Sequence, residues 1–137
     1  MIRAAVRRME RVSPRAWRRI ALVYWAALTA GTHWPSLRLG RPGLIPVDKI
    51  LHAGAFAGVC GLLMLTRWLD RPGVRPFTSR NINRACLAAA ILAALDEITQ
   101  SWVLLDRFAK LDDFIADAVG ILIAWLVATL LFQRVSA

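Results

Sequence analysis

Three short polar groups interrupt an otherwise apolar chain, and each has a spacing that could support chemistry. Asp48 and His52 stand at i, i+4, with Lys49 between them. Glu97 and Gln100 stand at i, i+3 inside the run "LAAAILAALDEITQSWVLL". Asp113 and Asp117 stand at i, i+4, and Arg107 precedes them. On a helix, each set falls on one face. Carboxylates beside an imidazole can move protons or hold a polar ligand. The planar fork of an arginine suits a phosphate or carboxylate. Asp48, His52, Glu97 and Asp113 offer donor types that coordinate metals. No tight motif of the H-x-x-x-H kind joins them, so neither a metal nor a cofactor is expected. No Ser or Cys stands in a recognisable nucleophile setting. Asp96 points about 100° away from Glu97 on an ideal helix and is left outside the set.

Each group also has a plainer reading. Asp48 can cap a helix start while Lys49 reaches to an interface. Glu97 and Gln100 can make a structural hydrogen bond between helices. Asp112 and Asp113 suit the positive end of a helix. Residue type alone leaves both readings open.

Positioning these groups falls to four apolar segments, Ile20 to Trp34, Ile50 to Trp68, Ala85 to Leu105 and Phe114 to Phe132. The chain has 137 residues, of which 58% are hydrophobic, and its charges fall in blocks between those segments. That layout is the pattern of an integral membrane protein. It predicts an all-α, four-helix membrane bundle, with helices at about 18–36, 49–69, 84–105 and 112–133. Residues 1–19 form a basic N-terminal segment ahead of a membrane domain at 20–137. The segment is long for a signal peptide, and Thr32-His33-Trp34 makes a poor cleavage context, so it is expected to be retained. The net charge of +9 does not point to nucleic acid, because the arginines flank apolar spans.

The basic residues also predict orientation. Thirteen of them lie in the N-terminal segment, the second connection and the C-terminal end, against five in the other two connections. The positive-inside rule then puts both termini in the cytoplasm. Glu97 lies thirteen residues beyond Arg84, about 20 Å along a helix at 1.5 Å per residue. That depth lies in the outer third of a core about 30 Å thick. Asp117 and His52 reach the same third from the other side. A polar face at membrane depth turns toward the bundle or a wet cavity. Gly54 and Gly58 form a G-x-x-x-G step, and Gly120 sits in a stripe of small residues with Ala116, Ala124 and Ala128. Such residues let helices approach closely.

The polar pieces together resemble the VanZ-like family of small integral membrane proteins. The matching stretches are "DKILHAGAF", "EITQ" and "RFAKLDDFIADAVG", in that order on successive segments. The resemblance covers about residues 46 to 132. Where this chain has Asp117, the family pattern usually has Asn, so the site gains an ionisable group. The founding member is associated with low-level teicoplanin resistance. The resemblance therefore implies a cell-envelope protein with a role in glycopeptide resistance.

The expected function is an outer-leaflet polar pocket built from Asp48, Lys49, His52, Glu97, Gln100, Arg107, Asp113 and Asp117. It would bind a lipid headgroup, a lipid-linked cell-wall precursor or another polar envelope ligand in the inner membrane of a bacterium. The rival readings are an enzyme using Glu97 and Asp113 as acid and base, a small transporter, and a structural interaction subunit. Membrane lipids are the expected partners, and nucleic acid is not expected. Oligomeric state and turnover are not legible in the sequence.

Overall fold

The structure, a computed structural model, describes residues 1–33, 47–67, 75–100 and 111–134. Among these residues the chain is all helical, with five α-helices and no strand. The first, α1, spans Ile2–Arg11 inside the basic N-terminal segment. Ile2, Val6 and Met9 share one face of it at i, i+4, i+7, and Arg3, Arg7, Arg8 and Arg11 lie off that face. Val6 is buried against the bundle. The helix stops where Val12 turns extended.

The second helix, α2, spans Pro14–Thr32. Ser13 caps it by accepting a hydrogen bond from the Ala16 amide at 3.2 Å, and Pro14 sits in the first turn, where its missing N–H costs nothing. Trp17 Nε1 donates to the Met9 carbonyl at 3.1 Å and ties α1 back onto α2.

Three long helices follow: α3 at Val47–Thr66, α4 at Ser79–Gln100 and α5 at Leu111–Val127. The last continues as a π-helical stretch, Ala128–Gln133. At the end of α3, Arg67 takes a positive φ of 51° and breaks the helix.

Contacts between the four long helices show that neighbours in sequence alternate in direction. Tyr24 donates to the Ala55 carbonyl at 2.9 Å. The Cys60 and Cys86 thiols touch at 3.2 Å. Trp125 donates to Asn83 at 2.9 Å. Lys49 meets Asp113, His52 meets Asp117 and Ala53 meets Gly120, so α3 and α5 run parallel; α4 runs the opposite way, with Asn81 on Met64 and Cys86 on Cys60, and α2 runs with α4. The closest approach joins α3 and α5 at Gly120, where a Cβ would overlap the Ala53 carbonyl. Gly58 packs under the Tyr24 hydroxyl. Gly54 is different: it is exposed, and a Cβ there would meet nothing within 4 Å. Close packing at the G-x-x-x-G step therefore falls to Gly58 alone.

The bundle has an apolar core that includes Phe56, Met64, Ile82 and Ala89, yet polar residues are buried beside it while many large apolar side chains stay outside. Asn81, Asp96, Glu97, Gln100, Asp113 and Asp117 are buried, whereas Leu22, Val23, Leu87, Ile91, Leu95, Ile98, Ile115, Leu122 and Ile123 are exposed. Among the described residues, two helical stretches are long and apolar enough to cross a membrane, Val47–Thr66 and Leu111–Gln133.

Candidate functional site

Parallel α3 and α5 begin at the same end of the bundle, and antiparallel α4 brings its C-terminal end there. The polar residues of three separate stretches therefore meet. The first contact is at the helix starts. Lys49 Nζ lies 3.5 Å from Asp48, 2.8 Å from Asp112, and in direct contact with Asp113. Asp113 is buried, Asp112 is exposed, and Lys49 keeps some access to solvent. One lysine thus joins two helix N-termini, whose positive ends also favour these carboxylates.

One turn deeper, His52 Nδ1 lies 3.0 Å from Asp117 Oδ1. The Asp117 side chain is completely buried, and that of His52 is 14% exposed. Glu97 of α4 joins them. His52, Glu97 and Asp117 each bring one donor atom into a group whose members lie within 4.8 Å of one another. An imidazole and two carboxylates in this arrangement can share a proton, hold a cationic or hydrogen-bonding ligand, or coordinate a metal.

A second polar cluster lies on the other side of α4. Asp96 Oδ1 accepts from Thr32 at 3.1 Å, and its Oδ2 accepts from Gln100 at 2.7 Å. His33 Nδ1 is 3.7 Å from the same carboxylate, and its Nε2 is 2.9 Å from Thr99 Oγ1. The Thr99 hydroxyl in turn bonds back to the Leu95 carbonyl at 2.8 Å.

The structure thus groups Lys49 with Asp48 and Asp113, and His52 with Glu97 and Asp117, at one end of the bundle. Gln100 reaches the same end but bonds Asp96, not a member of the expected set. Arg107 lies outside the described residues. Asp96, Thr32, His33 and Thr99 belong to the polar end although spacing did not select them. The physical reason is the width of the inward sector of α4. Its buried positions Ile82, Ala85, Ala89, Ala93, Asp96, Glu97 and Gln100 cover more than one narrow stripe. A helix with neighbours on two sides buries an arc of 100° or more. Asp96 therefore faces α2 while Glu97 faces α3 and α5. The acid and base of the expected enzyme, Glu97 and Asp113, fall in different groupings, with Asp113 engaged by Lys49.

An apolar groove of about 200 Å³ lies between α2, α3 and α4, lined by Leu22, Tyr24, Trp25, Val59, Leu63 and Leu92 among others. From His52 to Val59 is seven residues, about 10 Å along the helix. Hydrocarbon suits this groove, and a charged ligand suits the polar end.

Compared with known proteins, the chain matches the VanZ/LLP1 family model over residues 6–132, nearly its whole length. No curated protein and no solved structure matches it.

Proposed function

The chain belongs to the VanZ/LLP1 family, and from that premise we propose that it is a four-helix protein of the bacterial inner membrane. Both termini are cytoplasmic, and the polar end faces outward to bind the head of an envelope lipid or lipid-linked cell-wall precursor. The exposed apolar faces, together with the buried acidic residues, carry this reading. Exposed apolar area on this scale marks contact with lipid or with another protein. On α4 the exposed residues Leu87, Ile91, Leu95 and Ile98 form one outward stripe. By composition alone this helix is too polar to pass as a span, yet its acidic residues Asp96 and Glu97 are turned inward. Polar groups at membrane depth are tolerated where protein or water satisfies them.

In this reading the anionic headgroup is received by Arg107, whose bidentate fork matches phosphate. The apolar groove on the α2, α3 and α4 side offers a berth for an acyl chain. Glycopeptide resistance is the cellular role that goes with this reading. Expression in a teicoplanin-susceptible bacterium should then raise the inhibitory concentration, and Glu97→Gln should abolish that rise.

Native mass spectrometry of the purified protein, wild type beside Glu97→Gln, tests the binding reading. The wild type is expected to retain a lipid with a phosphorylated head, and the variant to retain severalfold less. A wild type that carries no such lipid, or a variant that carries as much, contradicts it.

A further inference from the structure

We propose that His52, Glu97 and Asp117 form a binding site for one divalent transition-metal ion. The proposal rests on the grouping of these side chains and stands whether or not a lipid head binds nearby. Three helices supply the three residues, so the grouping is a product of the tertiary fold rather than of one helix start. The donor set is one imidazole nitrogen and two carboxylate oxygens, which suits ions such as Zn²⁺ and Mn²⁺.

Geometry and charge both favour an ion. His52 Nδ1 and Asp117 Oδ1 are 3.0 Å apart. Two donors on one tetrahedral ion, at bond lengths of about 2.1 Å, are separated by about 3.4 Å, so a shift of a few tenths of an ångström admits the ion between them. With Nδ1 unprotonated, the two lone pairs can converge on a shared cation in place of a proton. Asp117 is completely buried, and its second oxygen, Oδ2, has no hydrogen-bond partner. A buried carboxylate oxygen in that state calls for a cation or donor that the described side chains around it do not supply.

Among the described residues, the polar end holds the carboxylates Asp48, Asp96, Glu97, Asp112, Asp113 and Asp117. Opposite them stand one lysine and two histidines, and Lys49 is committed to Asp48, Asp112 and Asp113. A dication held by His52, Glu97 and Asp117 sets positive charge against the completely buried Asp117 carboxylate. Three protein ligands leave at least one coordination position open, through which the ion could take an anionic oxygen from outside. The His52 side chain is partly exposed, so the site lies near the surface of the bundle rather than sealed within it.

The test is metal stoichiometry on the full chain purified in mild detergent. The protein is stripped with EDTA, reloaded with Zn²⁺ or Mn²⁺, freed of excess metal and analysed by elemental mass spectrometry. The wild type is expected to hold about one equivalent of at least one ion. Asp117→Asn and His52→Ala are expected to hold less than a tenth of that, with unchanged gel-filtration and circular-dichroism profiles. Arg107→Gln, which removes the residue proposed to receive the headgroup, is expected to keep the metal and lose lipid, so this site and the lipid reading can fail separately. A wild type that stays well below one equivalent with both ions overturns the proposal, as does a folded Asp117→Asn variant that keeps its metal. Should both ligand variants fail to fold, protection of His52 from diethylpyrocarbonate in the wild type decides. Protection by Zn²⁺ or Mn²⁺ supports the site, and equal modification with and without metal overturns it.

Discussion

His52 of α3 and Asp117 of α5 meet at 3.0 Å across two parallel helices, with the carboxylate fully buried. The pairing depends on how closely those helices approach. Just beyond the pair, the Ala53 carbonyl occupies the space that a Cβ on residue 120 would need. Gly120 thus permits the close approach of the two helices, beside which the histidine meets the aspartate.

Three glycine substitutions should separate in order. Gly120→Ala puts its methyl against backbone and is expected to cost about 1–3 kcal/mol, the usual range for overpacking. Gly58→Ala presses on the Tyr24 hydroxyl and threatens its 2.9 Å bond to Ala55, a loss of about 1 kcal/mol. Gly54→Ala is expected to be neutral or slightly stabilising, since an alanine favours a helix. Unfolding of the purified proteins in detergent measures the order. A Gly54→Ala variant as damaged as Gly120→Ala would contradict the packing described.

Two adjacent acids should behave differently. Asp96 accepts bonds from Thr32 and Gln100, so Asp96→Leu strands both donors and is expected to destabilise by about 1–3 kcal/mol. Glu97→Gln keeps its shape and hydrogen-bonding capacity, and is expected to fold while losing ligand. Membrane accumulation beside ligand retention separates the two effects. If Glu97→Gln is the variant that fails to accumulate, Glu97 is structural.

Periodicity and charge made the all-helical class and the polar end legible, because each helix carries its own apolar run and its own polar face. Neighbours were harder to read. A single helix reveals which way Gln100 points but not that Asp96, rather than Glu97, receives it. Thr32 and His33 drew notice only as a poor cleavage context. Their role depends on α2 lying beside α4, a contact that neither segment encodes alone. The helix α1 was hidden for another reason. Its apolar face is three residues wide, Ile2, Val6 and Met9, too narrow to register against seven arginines in the first nineteen positions.

Orientation has its own check. With thirteen basic residues assigned to one side and five to the other, reporter fusions after Arg80 and after Asp106 are expected to read cytoplasm and exterior respectively. The reverse pattern would turn the polar end toward the cytoplasm and remove the envelope ligand from consideration.

The most direct test of an outward-facing polar site is labelling with a membrane-impermeant thiol reagent in spheroplasts. Cys60 and Cys86 are first replaced by alanine, leaving a background without reactive thiols. His52→Cys is expected to react from outside, because that side chain is partly exposed at the polar end of the bundle. Leu126→Cys, placed on an exposed apolar face of α5, is expected to stay unlabelled in lipid. A folded His52→Cys protein that does not react, or a Leu126→Cys protein that does, would contradict the account.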